Sequence, residues 1–230
     1  TVEQLKYIDT TGRVDTGGKN VVFLTFDDWG DEESIGKILV VLKQHNVSAT
    51  FFVKTQYISD TGRNLLRAMA EEGHDIGSHT NTHMTVNITS SQVGKLQNDL
   101  VKSNHILASV VGNTGRLTNY FRPPTLAINE LGMRTIFDSG YLYIVSGDNS
   151  TGDYKADSKE ELLDILVHGT KMDDGSRIPV QSGSVIVMHM SETAEYTAAA
   201  LDDYLTYEEN LAPGDRNKHD FAKLSDCLEK

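Results

Sequence analysis

Two groups of ionisable residues in this sequence have the types and spacing that a metal site needs. Asp27 and Asp28 end the apolar run V-V-F-L-T-F, and His79 and His83 stand four positions apart. An i,i+4 pair on a helix places two imidazoles on one face, where both can bind a single ion. Two histidines with one carboxylate form a common site for zinc and similar divalent ions, with positions left for water. Because neighbouring strand residues point to opposite sides, the pattern predicts that one aspartate binds the metal while the other faces the substrate.

Each group also has an ordinary structural explanation. An aspartate directly before a helix often caps it, so Asp28 can be an N-cap and Asp27 a solvated side chain. The chain has eight histidines, so one H-x3-H pair can arise by chance, and short motifs carry false positives. The presence of both groups at predicted strand ends favours the metal site.

Three further ionisable residues follow predicted strands. Arg122 follows Y-F, Asp148 follows Y-L-Y-I-V-S-G, and His189 follows S-V-I-V-M. The carboxyl ends of parallel strands in a barrel meet on one face. A histidine at that face titrates near neutral pH and is a natural general acid. The alternative for His189 by itself is a core histidine with its hydrogen bonds satisfied.

The elements that must position these residues alternate between strand and helix about seven times. Strands are predicted over 21–26, 48–53, 74–78, 120–121, 141–145, 184–188 and 219–224, and helices over 31–45, 60–73, 90–111, 128–139, 158–166 and 193–207. This alternation predicts βαβ units and a parallel sheet, and leaves open whether the sheet closes into a barrel. No glycine-rich phosphate loop follows a strand, which disfavours nucleotide-binding folds.

Composition limits the classes of partner. The 33 acidic and 21 basic residues give a net charge of −12, which disfavours nucleic acid as a partner. The single cysteine, Cys227, excludes an intrachain disulfide and a cysteine-based metal site. No apolar run approaches the length of about 18 residues that a membrane span needs.

The beginning of the chain predicts an arm. Residues 1–20 are polar and without a period, and we interpret them as an N-terminal arm or the end of a linker. The first residue is Thr1, so we expect a trimmed chain or a mature form, with any leader or anchor removed. A monomer is the favoured oligomeric state.

The motifs together resemble those of the polysaccharide deacetylases of carbohydrate esterase family 4, the NodB-homology domain. The similar segments are T-F-D-D at 25–28, S-A-T-F-F-V at 48–53, H-T-N-T-H at 79–83, R-P-P at 122–124, V-M-H at 187–189 and F-A-K-L-S-D at 221–226. The resemblance runs from about Val21 to Leu228. It implies a distorted (β/α)7 barrel, similar to a TIM barrel, that forms a single domain over residues 21–230.

The resemblance also implies a role for each residue of the metal site. Asp28, His79 and His83 would bind a divalent metal, which is zinc in most such enzymes, with cobalt or nickel as alternatives. Asp27 would be the general base that activates the metal-bound water, and Arg122 would hold it.

His189 would be the general acid that protonates the leaving amine or alcohol. The backbone N–H of Thr125 would help to stabilise the oxyanion. In this family an aspartate orients the acid histidine. Asp148, in S-G-D at 146–148, is our choice for that residue, and Asp153, in a D-Y pair, is the competing match.

The sequence departs from the family pattern near the proposed cleft. Trp29 stands where the family usually has glycine, and R-P-P-T-L replaces the common R-P-P-Y-G. We predict that Trp29, Pro123 and Pro124 contact substrate, while Trp29 has simple packing as its alternative. The tryptophan that the family usually has in its fourth motif is missing.

The activity implied is removal of acetyl groups from an N- or O-acetylated polysaccharide. Peptidoglycan N-acetylglucosamine and chitin oligomers are the first candidates, acetylated xylan is a further one, and the location implied is the outside or surface of a bacterial cell. The alternatives are a carbohydrate-binding pseudo-enzyme on the same fold and a related hydrolase of small amides, since a fold does not determine a substrate.

Overall fold

The computed structural model describes residues 6–228. In this range the strands are β1 Lys6–Ile8, β2 Val21–Asp28, β3 Thr50–Val53, β4 Asp75–Ser78, β5 Leu117–Phe121, β6 Tyr143–Val145, β7 Asn149–Ser150, β8 Thr170–Lys171, β9 Arg177–Ile178, β10 Val185–His189 and β11 Asp220–Ala222. The helices are α1 Glu32–Gln44, α2 Asp60–Glu71, α3 Val93–Val111, α4 Glu130–Asp138, α5 Lys159–His168 and α6 Thr197–Asn210.

Nine of the strands form one sheet, and all its strand pairs are parallel. The order across the sheet is β1-β6-β5-β4-β3-β2-β10-β7, and β11 lies beside the first half of β2. The sheet curls, but among the described residues no pairing joins its two edges, β1 and β7. The predicted parallel barrel is confirmed, in an open and distorted form. Strands β8 and β9 form a separate antiparallel hairpin.

Strand β2 lies inside the sheet, between β3 and β10, and both its faces are apolar. Val22, Leu24 and Phe26 belong to the cluster that packs the sheet against the helices. Val21 and Phe23 belong to a second cluster, formed by strand residues and the C-terminal segment inside the curl. Burial on both faces is what the continuous apolar run predicts for a parallel strand.

Part of the predicted N-terminal arm belongs to the fold. Lys6–Ile8 pairs with β6 at the edge of the sheet, and Val14 is 3% exposed. The N–H of Val14 donates to the carbonyl of Gly183. A three-residue strand is too short to show a period of two, so the sequence pattern gave no sign of it. Residues 1–5 of the predicted arm lie outside the described residues.

The helices begin where capping residues predict. The carboxylate of Asp31 accepts the N–H of Ser34 at the start of α1, and Ser158 accepts the N–H of Glu161 at the start of α5. Helix α3 is the longest, with 19 residues, and none of the helices in residues 6–228 combines the length and apolar character that crossing a bilayer requires.

Candidate active site

The carboxyl ends of the central strands meet around one cavity of about 440 Å³. Six of the residues that the sequence singles out line it: Asp27, Asp28, His79, His83, Thr125 and His189. They come from the ends of β2, β4, β5 and β10 or the loops that follow. The cavity therefore brings together ionisable groups that are far apart in the sequence, as convergence of parallel strand ends predicts.

The two adjacent aspartates reach the same cavity although strand alternation would separate them. Asp28 ends β2 with a left-handed backbone, at φ 78°. This conformation breaks the alternation, so both carboxylates lie near one imidazole. His79 Nε2 is 4.0 Å from Asp27 Oδ2 and 3.6 Å from Asp28 Oδ1. A positive φ in a non-glycine residue is uncommon and often marks a functional position.

Asp28, His79 and His83 present a set of atoms suited to one divalent ion. Their three ligand atoms lie within 4.8 Å of one another, and His83 Nε2 is 3.4 Å from Asp28 Oδ1. Asp28 Oδ1 is buried and accepts no hydrogen bond within residues 6–228. The Nδ1 of His79 lies 2.8 Å from the carbonyl oxygen of Arg122, so donation there leaves Nε2 free to ligate. An orphaned carboxylate oxygen beside two imidazoles fits a metal ion.

The H-x3-H pair does not lie on a helix, and that part of the prediction is wrong. Residues 79–83 form an irregular loop after β4, in which Thr80 has φ 67° and His83 has φ 60°. The loop still brings the two rings together, with centroids 5.1 Å apart. A spacing of four residues is compatible with a tight loop as well as a helical turn, so the spacing alone could not decide between them.

Asp27 is a buried carboxylate held by Arg122. Its side chain is 3% exposed, and Arg122 Nη1 donates to its Oδ1 at 2.8 Å. Burial by itself would raise the pKa of the Asp27 carboxyl, but the Arg122 guanidinium, with His79 and His189 nearby, holds that pKa below its usual value. Asp27 is therefore ionised at neutral pH, with Oδ2 turned toward His79.

Arg122 itself is completely buried, and each part of its guanidinium is bonded. Besides Asp27, it donates to Thr25 Oγ1 and to the carbonyls of Val145 and Ser146, at 2.6 to 2.9 Å. It also lies over the ring of Phe52. A buried charge is tolerable where it is paired and fully hydrogen-bonded. These bonds tie β2, β5 and β6 together inside the curl.

His189 is paired with Asp153, and the choice of Asp148 is wrong. His189 Nδ1 is 2.7 Å from Asp153 Oδ1, while the His189 N–H and the Thr197 hydroxyl donate to Oδ2. Burial alone would lower the pKa of the His189 imidazole, but the bond to Asp153 outweighs it and raises that pKa to about 9. With Nδ1–H donated to Asp153, Nε2 is the nitrogen left to act in the cavity.

Asp148 serves a different part of the fold. Its carboxylate accepts the backbone N–H of Val185 and the hydroxyl of Ser184, at the start of β10. Burial raises the pKa of this carboxyl, although these bonds oppose the rise. Asp148 and Asp153 lie in the same polar loop, which contains the two-residue strand β7. The sequence pattern showed no strand there, and this is why it could not say which aspartate reaches His189.

The predicted substrate contacts are also corrected. Trp29 is 7% exposed and packs in the apolar cluster between sheet and helices. The family pattern has glycine at this position, and here the glycine is the next residue, Gly30. A Cβ at Gly30 would lie 2.3 Å from the carbonyl oxygen of Met190, so this position requires glycine. Pro123 and Pro124 are buried behind the cavity wall, whereas Thr125 and Leu126 line it.

The sequence analysis assigned no role to two residues of the site. Tyr154 lines the cavity with its ring edge-on to His189, at 5.1 Å between centroids. Thr197 reaches Asp153 from the first turn of α6. The only sequence signal for Tyr154 was its place beside Asp153, and no motif marks Thr197.

Comparison with known proteins agrees with this geometry. The family model described as polysaccharide deacetylase matches residues 14–144. A peptidoglycan-N-acetylglucosamine deacetylase of Bacillus cereus is 33% identical over 171 residues, which are 74% of this chain and 56% of the relative. The crystal structure of the Bc1960 peptidoglycan N-acetylglucosamine deacetylase superposes with a TM-score of 0.76 at 26% identity, covering 99% of this chain and 95% of that one.

A family 4 acetyl xylan esterase from Clostridium thermocellum, solved with a cobalt ion, gives a TM-score of 0.69 at 25% identity and covers 90% of this chain and 89% of that one. Against three of the curated relatives the chain spans 46%, 56% and 66% of the relative's own length.

Proposed function

The chain belongs to the polysaccharide deacetylase family, and from this membership we propose that it is a metal-dependent hydrolase that removes acetyl groups from an acetylated polysaccharide. Two of the similar proteins described above are named as peptidoglycan N-acetylglucosamine deacetylases, which favours peptidoglycan as the substrate. Chitin oligomers and acetylated xylan are the other candidates. A cell-wall substrate also favours a location outside the cell or on its surface.

The observation that carries the proposal is the pairing of two opposite proton-transfer groups beside a candidate metal centre. Asp27 is held ionised by Arg122, and His189 is held protonated by Asp153. Both line the same cavity as Asp28, His79 and His83. Two titratable groups whose surroundings push their pKa values apart indicate a base and an acid. This complete set favours an enzyme over a pseudo-enzyme that only binds carbohydrate.

Asp28, His79 and His83 would hold the metal, for which two nitrogens and one carboxylate oxygen fit zinc, with cobalt and nickel as alternatives. A bound ion of this kind supplies a Lewis acid that acidifies water and polarises an acyl oxygen. The acetyl xylan esterase solved with cobalt is a further reason to test that ion.

The chain's own residues then divide the reaction between them. Asp27 Oδ2 takes the proton of a water whose oxygen attacks the acetyl carbonyl carbon, and Arg122 keeps this carboxylate in place. His189 gives the Nε2 proton to the sugar nitrogen as the carbon–nitrogen bond breaks, which releases acetate and a free amine. The backbone N–H of Thr125 is the proposed donor to the developing oxyanion, a contribution of about 3 kcal/mol in comparable sites.

The experiment that tests this function is acetate release from peptidoglycan, N-acetylglucosamine oligomers and acetylated xylan. Each substrate is incubated with the protein plus zinc, plus cobalt, or plus a chelator. Asp27→Ala is measured beside Asp174→Asn, a control in an exposed turn where the carboxylate accepts the N–H and the hydroxyl of Ser176. We expect acetate with added metal, none with chelator or Asp27→Ala, and unchanged release with the control variant.

The ranking of the substrates identifies the polymer. Release that persists in chelator refutes the metal-dependent mechanism, and release that persists in Asp27→Ala refutes the role of that base. Tight binding of a glycan without any turnover would instead identify a carbohydrate-binding protein, and turnover of small amides alone would identify the related amide hydrolase.

A further inference from the structure

We propose that Asp99, on α3, is the positioning residue that holds the loop of residues 79–83 in its ligating conformation, and that it acts chiefly on His83. The inference rests on the proposed metal site. Asp99 does not touch the cavity and belongs to no motif in the sequence. It is 7% exposed. A carboxylate this buried normally requires a partner.

Within residues 6–228, the side chain of Asp99 accepts its hydrogen bonds from the middle of that loop. Its Oδ1 accepts the backbone N–H of Asn81 at 2.6 Å and that of Thr82 at 3.4 Å. Its Oδ2 accepts the Thr82 hydroxyl at 2.6 Å. Hydrogen bonds to an ionised acceptor are shorter and about twice as strong as neutral ones. One helix-borne carboxylate thus fixes the two residues that directly precede His83.

The loop needs such an anchor because its backbone is unfavourable by itself. Thr80 and His83 both have left-handed φ values, of 67° and 60°. Such a conformation is strained in a non-glycine residue and persists only where the surroundings enforce it. The Met84 N–H donates to Thr80 Oγ1 on the far side of His83. Anchors at Thr82 and Met84 therefore bracket His83.

The two histidines depend on this anchor to different degrees. His79 is 2% exposed, its backbone N–H donates to the carbonyl of Val53, and its Nδ1 is bonded to the carbonyl of Arg122. His83 is 37% exposed, and in residues 6–228 its only ion pair or hydrogen bond is the 3.4 Å contact with Asp28. The position of His83 follows from the loop backbone, whereas His79 has supports of its own.

The asymmetry predicts a specific result when Asp99 is changed. Asp99→Asn is isosteric but removes the charge and one acceptor, so we expect zinc affinity to fall about 10- to 100-fold, the usual effect of losing a group that orients metal ligands. Thr82→Val removes one neutral-donor bond from an exposed side chain, and we expect a loss of about 2- to 10-fold.

The test measures zinc affinity by competition with a chromophoric chelator, and histidine ring signals by NMR in the metal-free full chain at fixed pH. Asp75→Asn is the matched control, because Asp75 is a buried carboxylate that also accepts a backbone N–H and a hydroxyl, both from Ser225. We expect broadened His83 signals and unchanged His79 signals in Asp99→Asn and Thr82→Val. We expect zinc affinity within 2-fold of wild type in Asp75→Asn.

Each outcome separates this inference from the function on which it rests. Wild-type zinc affinity in both Asp99→Asn and Thr82→Val overturns the role of Asp99 and leaves the metal site standing. Equal disturbance of His79 and His83 overturns the asymmetry. A wild-type protein that binds neither zinc nor cobalt overturns the metal site itself. If Asp99→Asn fails to fold, Thr82→Val decides the matter.

Discussion

Replacing Asp153 by asparagine should remove most of the basicity of His189. The carboxylate accepts Nδ1–H at 2.7 Å and is completely buried, so the imidazolium has a close, poorly screened counter-charge. Asparagine keeps the size of the side chain but has a single acceptor oxygen, whereas Asp153 accepts from His189 and Thr197 with both of its oxygens. The substitution therefore removes the charge and one acceptor while it preserves the packing.

The magnitude follows from the raised pKa. His189 has a pKa of about 9 against an ordinary value of 6.5, and burial would by itself place it lower still. Asp27 and Asp28 remain in the variant and supply part of the rise. We therefore expect a pKa of about 7 in Asp153→Asn, a change worth about 3 kcal/mol. At pH 8 the protonated fraction of His189 then falls about ten-fold.

The pKa is measured by NMR titration of the His189 ring in protein freed of metal by a chelator. The pH profile of kcat, measured with zinc, should lose its alkaline activity at a lower pH in the variant, because the general acid must be protonated. Asp148→Asn is the matched control, since it removes a buried carboxylate of the same loop that bonds to Val185 and Ser184. A His189 pKa within half a unit of wild type in Asp153→Asn, or an equal fall in Asp148→Asn, would refute the reasoning.

Three further substitutions test other parts of the structure. Arg122→Met leaves Asp27 buried without its partner, so denaturant unfolding should show a loss of about 3–5 kcal/mol together with loss of acetate release. Trp29→Ala should cost about 3–5 kcal/mol of unfolding free energy yet leave KM for oligosaccharides unchanged, and a rise in KM would contradict its place in the core. Burial lowers the pKa of His74 from 6.5 to about 4, so the unfolded state takes up its proton first. This contribution to stability is complete above pH 6.5 and is lost as pH falls toward 4, by about 3 kcal/mol, and His74→Gln should remove that dependence in unfolding measured across the range.

The fold and most of the site residues were predictable because buried parallel strands leave a strong pattern. The run over 21–26 is apolar on both faces. A charged residue at the end of such a strand is expected to lie at the edge of the sheet, because the interior on both sides is apolar. Asp27, Asp28, His79 and His189 all lie at the carboxyl ends of strands or directly after them, and all line the cavity. The ionisable residue at a strand end can therefore be predicted from one continuous segment of sequence.

The errors concern arrangements that depend on contacts between segments. The pairing of β7 with β10 brings Asp153 to His189. Because this pairing covers only two residues, it leaves no periodic pattern in the sequence. Two residues of the loop 79–83 have left-handed conformations, which Asp99 stabilises from outside the loop and Thr80 from within it. The H-x3-H spacing by itself does not distinguish this loop from a helical turn. Trp29 packs in the apolar cluster between the sheet and the helices, and the residue next to it that needs to be glycine is Gly30, which lies against the carbonyl of Met190.

The interior position of Arg122 has a consequence for how this chain can change over evolutionary time. Arg122 and Asp27 fill the inside of the curled sheet and bind three strands, so a descendant that no longer needed catalysis would still lose stability if it lost either one alone. His83 and His189 support no such interior and are 37% and 17% exposed. Loss of activity would therefore erase the histidines first, and a related chain that keeps the buried pair but lacks them should be regarded as folded and inert.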